Sequence, residues 1–539
     1  MTLSTKRSAV ILGLLLFAFA LRVWGLDRDP PRLEVLPDES TWTDEGTVAL
    51  PAVDVIRGGL SITDGVILAS RPLHEISLYI AFKFLGLGRY QGRLVSVAVG
   101  MVGLAVVARL ARLAWSDVGP FLALAFAGSG FFFLIYDRLI LTEGIVVAAL
   151  SLIALIGIRS RGTRDAIIVG VCLGIAAVTL KLHALALLPA LACFYAVRRK
   201  HLLIPFLVGV AFVFLIWRVS WVSQNTSYAG YLEDRIGSPS LGMFSPDQMI
   251  VRIFLAGLPV SYLPYQIPLL LLASLEVLSL LLSPRRWFCN VSDVILVALV
   301  WLVTVLVAAS LFRYAPTRYF HIASPALVLL AISGARRLWL GHDFPDRSIF
   351  VRVVVAIALG LVLLIQVAPP LPIFGDEAKW VPLLGTLLVP IFLWLSTRTR
   401  AGWDLTMKTR AFLLAALVSI QFLLQGGLYF AGVVQSRADL ARVASSLVVT
   451  LPPNAIVAGR LAGSLALFAP LRTVPTLYRV DRGVLENLAQ NAPVWYLVIS
   501  GDEENTSPGV WPFLVYGGAF PIQYDRKGTE LLVCRFIEP

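Results

Sequence analysis

The chain has 539 residues, of which 58% are hydrophobic and 14% charged, with a mean hydropathy of +0.82 and a formal net charge of +12. An ordinary soluble domain is about 45–50% apolar and about 25% charged, so so few charges cannot cover a soluble surface and lipid must solvate much of it. The positive balance does not mark a nucleic-acid binder, because Lys and Arg stand in short clusters between apolar runs, as in the cytoplasmic loops of membrane proteins.

A bilayer-spanning helix needs about 20 mostly apolar residues. The first such run, 8–26, follows Lys6 and Arg7 and lacks a small-residue cleavage site, so it reads as a retained signal-anchor. Further spans are expected at 91–113, 118–136, 141–158, 165–181, 183–197, 202–221, 266–283, 292–312, 321–338, 349–368, 381–397 and 411–431, about thirteen in all. With the N-terminus in the cytoplasm, alternation places Arg109/Arg112, Arg159/Arg161/Arg164, Arg198/Arg199/Lys200, Arg285/Arg286, Arg336/Arg337 and Arg398/Arg400/Lys408/Arg410 inside, as the positive-inside rule demands. A single long helix over 165–197 would send every later cluster outside, so two passes are expected there.

The same alternation puts the loop 27–90, the loop from about 222 to 265 and everything after Gln435 outside. The last piece is more polar and carries β-like runs at 455–459, 494–500 and 530–536, separated by turn residues such as Pro452-Pro453-Asn454. The expected fold is therefore an all-α polytopic membrane protein with a small C-terminal α/β extracytoplasmic domain. Residues 1–434 form the membrane part and 435–539 the soluble one. Cys172, Cys193, Cys289 and Cys534 form no CxxC or Cys/His cluster, so neither a disulfide framework nor a metal site is indicated.

Ionisable groups at a membrane face are costly and therefore informative. Asp44-Glu45 opens DEGTVALPAVDVIRGG, where Val48, Ala52, Val55 and Ile56 recur at helical spacing, as in a short helix lying on the membrane surface. Asp44 at such a helix start has an equally good structural explanation as a cap. Arg138 and Glu143 flank a short outer loop, Lys181 and His183 interrupt two span ends, and Arg318, Tyr319 and His321 crowd a third outer loop. Each alone suits an interface residue whose charged head snorkels to water. Together they form an outer rim of carboxylates and cations, fit to hold a phosphate and move a proton on a lipid-attached anion.

These residues resemble the GT-C glycosyltransferases of the protein O-mannosyltransferase and lipid A aminoarabinose transferase type. Asp44-Glu45 followed by Gly58 is similar to that family's "DE…G" opening, and Arg71-Pro72-Leu73-His74 to its Pro-containing stretch before a surface helix. Gly92-Arg93-Leu94-Val95-Ser96 is similar to its "R-x-x-S", Arg138-x4-Glu143 to its "R-x4-D", Ala177–Lys181 to its "L-T-K", and Arg318-Tyr319 with Pro325 to its "R-Y-x-L-P-x-x-P". The sequence departs in having Glu143 where the family has Asp, and in lacking the W-W-D triplet of oligosaccharyltransferases. The resemblance implies inverting transfer of one sugar from a polyprenyl-phosphate donor to a lipid, glycan or protein hydroxyl in a bacterial plasma membrane. It implies Asp44 as general base, with Glu45 and Glu143 orienting the acceptor or stabilising sugar charge. Arg93, Arg138, Lys181 and Arg318 would hold the donor phosphate, and His74, Tyr319 and His321 would make other substrate contacts. No cofactor is called for, although a divalent cation is compatible with the acids. A transporter or flippase of a lipid-linked or anionic substrate is the alternative, but it would be expected to show internal repeats and midplane charges.

Overall fold

A computed structural model describes residues 3–28, 40–58, 71–222, 266–281, 291–311, 317–340, 407–430, 439–459, 461–475, 489–490, 493–499, 514–516 and 531–536. The first half begins with α1 (Leu3–Val23), two short helices α2 (Ser40–Ile56) and α3 (Pro72–Leu85), and the long α4 (Arg89–Ala114). It continues through α5 (Gly119–Gly128), α6 (Phe131–Tyr136), α7 (Thr142–Arg159), α8 (Thr163–Thr179), a 3-10 turn Leu182–Leu187, α9 (Leu188–Arg198) and α10 (Lys200–Trp217). The second half holds α11 (Ile267–Leu281), α12 (Asp293–Leu311), the short α13 (Thr317–His321), α14 (Ser324–Leu340) and α15 (Met407–Tyr429).

Among the described residues, four helices are long and apolar enough to cross a membrane, and several shorter apolar helices stand beside them. Their outward faces are as oily as their cores: α10 exposes Ile204, Val208, Phe212 and Leu215. Only a hydrocarbon solvent makes such a surface stable. Each expected span from 91–113 to 321–338, and that at 411–431, coincides with a helix, with two differences. The span at 183–197 opens in the 3-10 turn Leu182–Leu187 before α9. The run 118–136 is broken into α5 and α6 at Ser129 and Gly130. The expected spans at 349–368 and 381–397 lie outside the described residues, as does nearly all of the loop from 222 to 265.

Two passes between 163 and 198 follow from the packing of α8 on α10. A Cβ on Gly170 would meet the Phe206 carbonyl at 2.1 Å, and one on Gly174 would meet Val213 Cβ at 2.8 Å. The contact climbs both helices in the same direction, so they run parallel. The chain must return between them, and α9 is the returning pass.

Close approach also joins α11 to α14. A Cβ on Gly334 would lie 1.7 Å from the Leu272 carbonyl oxygen, so the helices touch backbone to backbone. Gly334→Ala is expected to push them apart and lower the thermal transition of the purified protein by several degrees, about 1–3 kcal/mol of overpacking. A melting curve in detergent checks it. At the other end, Arg22 and Asp137 form a fully buried ion pair at 2.8 Å, and Arg22 also donates to the Ala18 and Gly128 carbonyls. That network ties α1 to the loop between α6 and α7.

The C-terminal part is an α/β unit. Helix α16 (Asp439–Thr450) precedes β1 (Ile456–Gly459), the short α17 (Ala462–Leu465), β2 (Arg472–Pro475), β3 (Val494–Ile499), β4 (Leu514–Tyr516) and β5 (Leu531–Phe536). The sheet order is β2-β1-β3-β5-β4, parallel across β2, β1 and β3 and antiparallel across β5 and β4. Leu440, Val443, Leu447, Val457, Leu461 and Leu465 form its core. The three β-like runs read from the sequence are strands; β2 and β4 are too short for periodicity to show.

Candidate active site

Successive residues of a helix diverge by about 100°, so the acidic pair Asp44-Glu45 faces two environments. Helix α2 starts at Ser40, which places Asp44 in the body of the helix and removes the capping explanation. Its apolar side, Val48, Ala49, Ala52 and Val53, is buried, as expected of a surface helix seated on the bundle. Helix α3 behaves likewise, burying Leu78 and Phe82 while Leu73, Ile76, Ile80 and Phe84 remain exposed along one stripe.

Glu45 points into protein. It is fully buried, and both carboxylate oxygens accept from Arg93 at 2.6 Å, while Arg89 lies at 3.7 Å and the Ile140 N–H donates at 3.0 Å. Burial alone would raise the Glu45 carboxyl, but Arg93, Arg89 and the Ile140 amide outweigh it and hold it below the ordinary value. Arg93 also donates through Nη1 to the Leu26 and Arg28 carbonyls.

Asp44 points the other way, into a cluster assembled from four separate elements. Its carboxylate lies 2.5 Å from Arg318 on α13, and Arg318 Nε stands 3.5 Å from Glu143 in the first turn of α7. Lys181, at the break after α8, reaches Glu143 at 2.5 Å. Asp44, Arg318, Glu143 and Lys181 thus form one continuous chain of alternating charge. Tyr319 closes it: Lys181 sits 4.4 Å over its ring, Arg318 at 5.7 Å, and the rim residue His183 packs on it at 4.2 Å. The positive end of the α7 dipole adds to the stabilisation of Glu143. Burial, reinforced by Arg318 and Arg71 and opposed by Glu143, brings the Lys181 ammonium down to about 8.

Three cations, Lys181, Arg318 and Arg71, act on two carboxylates, Asp44 and Glu143, leaving a surplus of one positive charge. Arg71, at the start of α3, carries no phosphate-ligand signal of its own in the motif pattern. The available signal was a base directly before Pro72, where Pro at the first helical position marks a helix start.

Other candidates lie apart. Arg138 donates to the Tyr429 hydroxyl at 3.0 Å and the Gly25 carbonyl at 2.8 Å. With Arg93 bound to Glu45, two of the four arginine and lysine candidates are taken up in ties to α1, α2 and α15. Their motif positions did not distinguish a base facing the cluster from one facing a neighbouring helix. His321 is enclosed by Phe133 and Tyr136, with Nδ1 3.1 Å from Ser324 Oγ. His74 is fully buried within range of Arg71 and Glu143, and neither ring nitrogen has a hydrogen-bond partner; burial, with Arg71, pulls it down to about 3, so it is neutral.

Beside it, Glu75 is buried against the Ala52 amide, and burial raises its carboxyl to about 8 despite Arg71. A carboxyl protonated in the fold but ionised when unfolded loses stabilisation as pH rises from its unfolded value near 4.5 to its folded value near 8. Glu75→Gln, a neutral isostere, is expected to flatten that part of the melting temperature against pH curve and to match or exceed the wild type at pH 8. Melting curves at half-unit pH steps check it.

Among the described residues no group of three His, Cys, Asp or Glu side chains is placed to hold a metal ion. Both carboxylates of the cluster are paired with cationic side chains.

No protein-family model and no curated protein matches the chain. Solved structures do. The crystal structure of ArnT from Cupriavidus metallidurans in the apo state matches with a TM-score of 0.55 and 18% identity, over 99% of each chain. The chain has the ArnT fold. The ArnT structure bound to undecaprenyl phosphate matches equally, with a TM-score of 0.55 and 17% identity over 99% of this chain and 98% of that one. Such coverage extends the ArnT-like architecture from α1 to the C-terminal sheet. It agrees with the polytopic, GT-C-like fold expected from the motifs.

Proposed function

We propose that the protein is a membrane glycosyltransferase that moves one sugar from a polyprenyl-phosphate donor to an acceptor hydroxyl. The observation that carries this is the bridge from Asp44 through Arg318 to Glu143 and Lys181, which with Arg71 sets a proton acceptor beside a surplus of one positive charge. The ArnT fold, seen with undecaprenyl phosphate bound in one crystal structure, supports a lipid-phosphate donor. The acceptor is a lipid, glycan or protein hydroxyl. The site faces the outside of a bacterial plasma membrane, with the N-terminus in the cytoplasm and the C-terminal domain extracytoplasmic.

The donor phosphate competes with Asp44 for Arg318, so its arrival frees the Asp44 carboxylate. The acceptor hydroxyl oxygen then attacks the anomeric carbon from the face opposite the phosphate, its proton passing to Asp44. The bond from the anomeric carbon to the phosphate oxygen breaks, and its electron pair stays on the phosphate. Charge grows there in the transition state, where Arg318, Lys181 and Arg71 meet it in a site already organised for an anion. Glu143 keeps Lys181 and Arg318 aimed, and Glu45 with Arg93 locks the α2 backbone that carries Asp44. His74 and Tyr319 supply hydrogen bonds and a ring face for the sugar.

Purified protein, radiolabelled polyprenyl-phosphate sugars and an envelope extract test this. Label moving into a new product with release of polyprenyl phosphate is expected. Intact donor redistributing across a proteoliposome without a new product would show a flippase instead.

A further inference from the structure

We propose that the C-terminal domain is a clamp on the acidic helix, and that its segment 461–471 fixes the position of Asp44. The inference rests on Asp44 being the reacting carboxylate.

Three contacts carry it. The first is a backbone junction two residues past Asp44. A Cβ on Gly46 would fall 1.9 Å from the Ser464 amide nitrogen, and one on Gly463 would fall 3.0 Å from the Gly46 carbonyl carbon. Helix α2 therefore lies directly on α17, with no side chain between to absorb movement. The second is Arg57, just past the end of α2, which donates to the carbonyls of Leu471, Ala466 and Ala469 at 2.9, 2.7 and 2.7 Å. These are carbonyls of the α17 turn and the chain after it, gathered onto one guanidinium. The third is Phe468, whose ring lies 4.3 Å under the Arg89 guanidinium, the same group that stands 3.7 Å from Glu45. Apolar packing fills the space between, as Ala466 and Leu467 share one core with Val48, Ala52 and Val53.

The clamp therefore holds α2 beside Asp44, at its end and through an arginine next to its second acid. Catalytic geometry tolerates little slack, since a displacement of about 1 Å costs on the order of a hundredfold in rate. A domain that only recruited the acceptor would need none of these contacts with the acidic helix. Its loss would raise the acceptor KM and leave kcat alone. A clamp predicts the reverse.

The test uses the full-length protein in lipid nanodiscs as wild type, Arg57→Ala, Arg57→Lys, Phe468→Ala and Gly46→Ala. Amide hydrogen exchange over 40–56 and steady-state transfer are measured on each, with polyprenyl phosphate binding as the check on folding. Arg57→Ala and Phe468→Ala are expected to bind polyprenyl phosphate normally, exchange α2 amides about tenfold faster, and lose about tenfold to a hundredfold in kcat with acceptor KM unchanged. Arg57→Lys should recover part of both effects, and Gly46→Ala should show the largest. Unchanged exchange in α2 overturns the clamp. So does faster exchange with intact kcat, or a loss confined to acceptor KM. Absence of transfer in the wild type would count against the transferase reading instead, while the exchange measurement still decides whether the domain holds α2.

Discussion

Asp44→Asn is expected to lower kcat by about 10^2–10^4-fold, the usual contribution of a positioned general base, while donor KM stays level or falls. Asparagine keeps the shape of the side chain but cannot take the acceptor proton. It also no longer competes as an anion for Arg318, which stands 2.5 Å from the Asp44 carboxylate, so the donor phosphate gains an uncontested partner. The pairing of lower kcat with undiminished donor affinity separates loss of a base from loss of a binding group. Steady-state kinetics of both proteins at saturating acceptor check it. Equal kcat in a normally inserted Asp44→Asn protein would remove Asp44 from the mechanism.

Arg318→Ala is expected to lower kcat/KM for the donor by about 10^2–10^3-fold, comparable to removing one preorganised donor from an anion site. Arg318 contacts both Asp44 and Glu143. Its removal leaves two carboxylates facing the donor phosphate with less positive charge between them. Arg318→Lys should restore only part of the loss, because an ammonium is a point charge and cannot fork between two carboxylates. The donor kcat/KM of the three proteins, measured at one salt concentration, checks the order wild type, Lys, Ala. Equal values would mean that the phosphate binds elsewhere.

Much of the membrane architecture was legible in the sequence because a span must be long and apolar and must satisfy its own backbone. The break at Ser129 and Gly130 was not, because the apolar run continues through it. Four members of the charge cluster were legible for a related reason. Asp44, Glu143, Lys181 and Arg318 are ionisable groups at the ends of apolar runs, where burial is costly without a partner.

Facing direction was not legible. Arg93 and Arg138 carry motif positions as plausible as that of Lys181, yet their guanidiniums meet Glu45 and Tyr429. Local spacing cannot tell which neighbour a helix face will meet. Neither the Gly46 junction with Gly463 nor the reach of Arg57 to the C-terminal carbonyls leaves a local trace, since more than 400 residues separate the partners.

The most direct test of the central claim is a structure of the protein with polyprenyl phosphate bound in nanodiscs. The phosphate is predicted to lie within hydrogen-bond distance of Arg318 and Lys181, with Asp44 released from Arg318. A phosphate seated away from Arg318, with the Asp44–Arg318 pair still closed, would contradict the account.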